Sequence, residues 1–162
     1  MQNLKIKWVL AGLIYATTGL ALDSDRNAKI VIQGPNCVSK LKEYQTECKK
    51  GLTIEQGSLL IKSTYGLIHH QDNDIQKVLM EGDQVYMEQM MEDQTKMVIQ
   101  ANQIDYRKAE DKVILKGQVN IKSAIGTTTG EHLEFNMQTQ EINALGDAAN
   151  QQFKMEIDQK DD

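Results

Sequence analysis

"DKVILKGQVNIKS", Asp111 to Ser123, alternates apolar and polar residues, is interrupted by one glycine, and alternates again. Val113 and Leu115 share one face with Ile114 and Lys116 on the other. Beyond Gly117, Val119 and Ile121 resume the rhythm between Gln118, Asn120 and Lys122. Period-two alternation is the signature of a half-buried strand, because successive side chains leave opposite faces. A glycine inside such a pattern marks a bulge or a sharp bend. Repeated bends of this kind curl a sheet until its apolar face lines a concave interior, although a plain two-sheet core satisfies the same alternation.

The rhythm extends outward from this stretch along most of the chain. Ile30 and Ile32 alternate in "AKIVIQ", Leu52 and Ile54 in "GLTIEQ", and Leu59 and Ile61 in "SLLIKS". Val78 and Met80 follow in "KVLMEG", then Val85 and Met87 in "QVYMEQ". There is one proline, Pro35, and no sustained helical period. Short strands separated by glycine or polar turns predict an all-β sandwich or barrel. "ANQIDYRKAEDKVILKGQ" from Ala101 aligns with "GEHLEFNMQTQEINALGD" from Gly130. Ile104 then matches Leu133, Tyr106 matches Phe135, Val113 matches Ile142, and Gly117 matches Gly146. A fainter copy places Val78 and Gly82 in the same register. A repeat too small to bury its own apolar face must stack on its neighbours, and stacking leaves an edge strand at each end.

The amino terminus reads differently. Lys5 and Lys7 precede a short apolar run from Trp8 to Ala16, and Gly19-Leu20-Ala21 places small residues at a cleavage site. This is the pattern of a secretory signal peptide over residues 1–21, too short for a spanning helix. Cleavage leaves a single domain, residues 22–162, with sixteen basic and 23 acidic side chains and a net charge of −7. No basic patch stands out and aromatic residues are scarce, which argues against nucleic acid as a partner.

Cys37 and Cys48 are the only cysteines. Counting outward from a turn near Lys42-Glu43 sets Ser39 opposite Thr46 and Cys37 opposite Cys48. Export favours a disulfide, which would close a short loop and contribute roughly 3 kcal/mol. The alternative, a reactive dithiol, lacks the C-x-x-C spacing, and two thiols alone make a poor metal site.

Little else suggests chemistry. His69-His70 beside Asp72 and Asp74 reads as a polar turn, since adjacent strand residues point to opposite faces and cannot easily share an ion. No nucleophile motif surrounds a serine, and the glycines form no phosphate loop. The reading is of a non-enzyme with no metal and no cofactor.

The pattern A-x-x-I-x-Y…V-x-L-x-G-x-V-x-I, Ala101 to Ile121, resembles the OstA-like repeat, as does "GLTIEQGSLLIKS", Gly51 to Ser63. Signal peptide and length together resemble the LptA type within this OstA-like family of lipopolysaccharide-transport proteins. The resemblance spans about residues 28–157. It implies a single β-jellyroll of repeated short antiparallel strands, open at both ends, that shelters lipid A acyl chains in the periplasm. It implies stacking of copies head to tail, with LptC at the N-terminal edge and the LptD periplasmic domain at the C-terminal edge. Carried over onto this chain, the lipid groove comprises Ile30, Ile32, Leu52, Ile54, Leu59, Ile61, Val78, Met80, Val85 and Met87. It continues with Ile104, Tyr106, Val113, Leu115, Val119, Ile121, Leu133, Phe135 and Ile142. The docking edges are Lys29, Ile30, Val31 and Ile32 at one end, and Phe153, Lys154, Met155, Glu156 and Ile157 at the other. The cysteine pair departs from the family pattern and would brace the first hairpin. Two alternatives remain: a secreted structural or adhesin-like β-repeat protein without lipid, and a membrane-anchored LptC-like component.

Overall fold

The computed structural model describes Asp25, residues 27–146 and residues 153–158. The expected signal peptide and its cleavage site lie outside these residues.

The chain is all-β. Four short strands come first: β1 (Ile30–Gln33), β2 (Cys37–Lys40), β3 (Gln45–Cys48) and β4 (Leu52–Gln56). β5 (Leu59–Ser63) and β6 (Tyr65–Gln71) lead into four long ones: β7 (Asp74–Met90), β8 (Lys96–Arg107), β9 (Lys112–Ser123) and β10 (Gly126–Asn136). β11 (Ile142–Ala144) and β12 (Lys154–Ile157) complete the set. All neighbouring strands are antiparallel, as hairpin connections of this length require.

Several runs that read as separate strands are one. Val78-Met80 and Val85-Met87 both belong to β7, and both halves of the opening stretch belong to β9. The reason is a line of bulges. Register shifts fall between Glu81 and Val85 in β7, Gln100 and Gln103 in β8, and Gly130 and His132 in β10. β9 crosses the same line at Gly117 and Gln118, both left-handed at φ 75° and 49°. Across the line the inward buried positions jump from Met80 to Val85, Ala101 to Ile104, and Thr128 to Leu133. These steps are odd. A one-residue slip exchanges the faces of a strand, so each bulge lets the sheet fold over while keeping apolar residues inside on both halves.

The result is two leaves sharing four strands. One leaf runs β1, β4, β5, β7, β8, β9, β10, β12, and the other β2, β3, β6, β7, β8, β9, β10, β11. The bulge line is their common spine. Hairpin turns of both leaves meet at the open side opposite the spine, where Gln56, Leu59 and Gln89 face Ile75, Tyr106 and Met137.

His69 and His70 correct the sequence reading. Both lie in β6, not in the turn, and a register shift falls between them. The turn itself is Asp72-Asn73, both at positive φ. Among the described residues, no group of acidic, histidine or cysteine side chains is placed to hold a metal ion.

The candidate lipid groove

Cross-strand neighbours on one face of an antiparallel sheet are in side-chain contact, so pairing defines rows. In the first leaf one row runs from edge to edge: Ile32, Ile54, Ile61, Met87, Ile99, Ile121, Thr128, Met155. In the second leaf another runs Cys37, Cys48, Gly66, Met80, Ile104, Leu115, Leu133, Ala144. A third, nearer the mouth, runs Ser39, Thr46, Ile68, Val78, Tyr106, Val113, Phe135, Ile142. All three face inward.

Sixteen of the nineteen groove residues expected from sequence are buried in one continuous cluster. Burying each large aliphatic side chain there contributes roughly 1.5–3 kcal/mol. The three exceptions sit at the ends: Ile30 and Ile142 are half-buried against the cluster, and Ile32 is 38% exposed. Burial therefore fades along each row toward the open ends of the jellyroll. At the far end, Phe153, Met155 and Ile157 are all exposed large hydrophobics. Among the described residues β1 pairs only with β4, and β12 only with β10, so the strands expected to dock lie at sheet edges. Lys29 and Phe153 fall just outside those strands.

Ile68, Ile75, Ile99, Ala101, Met97 and Met137 are interior residues that the sequence reading missed. For Met97, Ile99 and Ala101 the signal was available, since "MVIQA" alternates like its neighbours. Thr128 carried no such signal, being a polar residue buried within an apolar row.

The middle of the interior is filled. Space opens at the mouth, in a cleft of about 380 Å³ lined by Leu59, Ile75, Tyr106 and Met137 beneath a polar rim. The rim is tied down on each leaf. On one, the Asp25 carboxylate accepts from the Ser58 amide at 3.0 Å and from the Ser58 hydroxyl, while Ser58 Oγ accepts from the Met90 amide at 3.0 Å. On the other, Lys108 Nζ lies 2.6 Å from Asp74 Oδ1.

The outer face of the second leaf carries a basic row beside the mouth: Lys40, Gln45, His69, Lys77, Arg107, Lys112. Like charges directly opposite each other repel, and neighbouring carboxylates offset this. Asp105 serves Lys77 at 3.2 Å and Arg107 at 3.1 Å, Glu134 serves Lys112 at 3.3 Å, and Glu43 serves Lys40 at 3.1 Å. The Asp105 hydrogen bond and charge raise the Arg107 pKa further. Elsewhere on the exterior, burial first and the Glu47 hydrogen bond second raise the Tyr65 phenol.

Residues 31–141 match the profile of the family described as LptA/(LptD N-terminal domain) LPS transport protein. The chain belongs to this family. A solved structure agrees in fold: LptH, the LptA homologous periplasmic component of the conserved lipopolysaccharide transport device from Pseudomonas aeruginosa. It superposes with a TM-score of 0.74 at 22% identity, covering 84% of this chain and 99% of that one. No curated protein matches in sequence. The LptA/LptD-N match begins within β1 and ends just before β11, so it takes in all four spine-crossing strands.

The Cys37–Cys48 disulfide joins β2 to β3 in the register that counting from the turn gives. Its side chains occupy the inner face at the N-terminal end of the second leaf, where Cys48 is fully buried. Among the described residues no helix is long and apolar enough to cross a membrane.

Proposed function

We propose that this chain is a periplasmic lipopolysaccharide-binding transport protein that bridges the two membranes, sheltering lipid A acyl chains between its leaves. The observation that carries this reading is the inner row from Ile32 to Met155, apolar but for Thr128, with both end residues exposed and no described strand beyond either end. A globular core has no reason to end on exposed apolar side chains at two opposite edges. A wall that continues into the next molecule does. Acyl chains in water cost about 0.8 kcal/mol per CH₂, so a carrier across an aqueous compartment needs an apolar surface without gaps. Unpaired edges β1 and β12 suit end-to-end growth by strand addition. On this reading LptC meets the β1 end, the LptD domain meets the β12 end, and further copies join head to tail. The protein performs no catalysis.

The filled interior favours a second reading, a structural β-repeat that binds no lipid. A lipid with several acyl chains is larger than the mouth cleft, so carriage requires the leaves to part. A photo-crosslinking residue placed singly at Ile32, Leu59 or Met155, in exported full-length protein, separates the two. Lipopolysaccharide captured in cells from these positions, and not from outward-facing Thr53, supports the carrier. Folded protein that captures none supports the structural β-repeat.

A further inference from the structure

Among the described residues each leaf contains eight strands, and every neighbouring pair is antiparallel. The first and last strand of each leaf therefore run in opposite directions. The connection after β1 carries the chain from the first leaf to the second through Gly34-Pro35-Asn36, so β1 and β2 lie at the same end of the molecule. β11 and β12 lie together at the other end. A second copy displaced along the sheet would meet an antiparallel partner at both leaves in one step. An odd count in either leaf would have set parallel strands against each other there.

β2 is poorly equipped to hold its place. It has four residues, all exposed, and among the described residues pairs only with β3. A short ribbon that buries no apolar face is marginal in water. The disulfide supplies what packing does not, tying β2 to β3, which is itself anchored on β6. β2 is only partly protected as a free edge. Its protections are its four-residue length and Lys40, but it contains no proline and no bulge, and it shows Val38 at 57% exposure.

We propose that the Cys37–Cys48 disulfide maintains β2 as a second docking edge, which pairs with β11 of a neighbouring copy while β1 pairs with that copy's β12. This rests on the head-to-tail reading and adds a second seam to it. The apolar wall requires that seam. If only β1 and β12 joined, the rows ending at Ala144 and Ile142 would stop at a slit beside each joint. With both seams made, Ala144 of one copy continues into Cys37 of the next, while Ile142 meets the polar Ser39–Thr46 pair, so the apolar wall continues along the spine-side row.

The test uses the mature full-length protein with a photo-crosslinking residue at Val38 or, separately, at Val31 on the outer side of β1. Covalent dimers from both probes in oxidised protein are expected. In the Cys37→Ser/Cys48→Ser background, the Val38 dimers should be lost and the Val31 dimers retained. Dimers from Val31 but not Val38 in oxidised protein would overturn the second seam and leave the head-to-tail reading standing. Val38 dimers that persist in the serine variant would show that the disulfide plays no part. Dimers from neither probe would remove the head-to-tail reading along with the proposal. Hydrogen exchange on the unmodified protein gives a check independent of any variant. Amides of both Ile30–Gln33 and Cys37–Lys40 should gain protection as concentration rises, and gain confined to β1 would overturn the second seam.

Discussion

Ile32 and Met155 terminate one cross-strand row at opposite ends of the molecule, 38% and 43% exposed. The members between them are buried, from Ile54 to Thr128. Because each end residue keeps much of its surface in water, charging it should not unfold the domain. Ile32→Asp and Met155→Asp should each retain the wild-type far-ultraviolet circular dichroism and lower concentration-dependent association in sedimentation velocity. Undiminished association in both would show that these row ends do not meet another molecule.

Neighbouring strand residues should differ sharply in lipid capture. Leu133 and Leu115 face the interior, while Glu134 and Lys116 leave the opposite face. Photo-crosslinkers at the first pair are expected to capture lipopolysaccharide in cells, and at the second pair to capture little. Equal yields would show that the alternation does not report a lipid-facing surface.

Removing β12 should separate assembly from folding. Truncation after Asn150 deletes a four-residue edge strand whose residues are all exposed, so the core cluster stays complete. The shortened chain should melt as a folded monomer and associate less than the full chain. Association equal to that of the intact protein would exclude β12 as a docking edge.

Gly117 is strained territory for any other residue. At φ 75° an L side chain costs roughly 1–2 kcal/mol, and an added Cβ would lie 2.9 Å from Asn102 Nδ2. Gly117→Ala should therefore lower the urea midpoint by an amount equivalent to about 1–3 kcal/mol with an unchanged m-value. A shift within error would mean that the bend at this position is not required.

Losing the disulfide should cost about 3 kcal/mol by loop entropy. The Cys37→Ser/Cys48→Ser protein should show faster hydrogen exchange in β2 and β3 than in β8 or β9. Uniform loss of protection would instead place the disulfide's effect on the whole core.

Glu88 links stability to pH. The Tyr86 hydroxyl hydrogen bond, reinforced by Lys96 at 3.2 Å, holds its carboxyl below the ordinary value of 4.5. A group depressed in the folded state stabilises above its unfolded pKa and loses that contribution as pH falls through its folded pKa. The stability difference between wild type and Glu88→Gln should be largest near neutrality and shrink below pH 4.5. The same bond raises the Tyr86 phenol, whose contribution is present below pH 10.0 and lost as pH rises through the folded value. Denaturant midpoints at several pH values check both signs, and a pH-independent difference would rule out this coupling.

The strands were legible because alternation is written residue by residue. Val113-Leu115 and Ile104-Tyr106 needed nothing beyond period two. The joins were not legible, because the odd step from Met80 to Val85 breaks the period at the place where the strand continues. Only the folded pairing shows that Glu81 to Val85 is a bulge and not a turn. Outward aliphatic residues were a further difficulty. Leu67, Leu79 and Ile114 sit half-buried on the outer face, and their apolarity alone does not tell outside from inside. The groove expected from family resemblance and alternation consists mostly of residues that the fold buries, and neither signal tells how much of that face is filled.

The shared strands give the molecule the mechanics of a bound book. β7, β8, β9 and β10 pass through the spine without interruption, so swinging the covers apart leaves each page-to-page ladder intact. Work is done instead against apolar contacts between facing pages, which are non-directional and can be remade with any oily guest. On the proposed carrier reading, a hinge of this kind would let the molecule change its girth to suit its cargo and close again when empty, with its backbone wiring the same in both conditions.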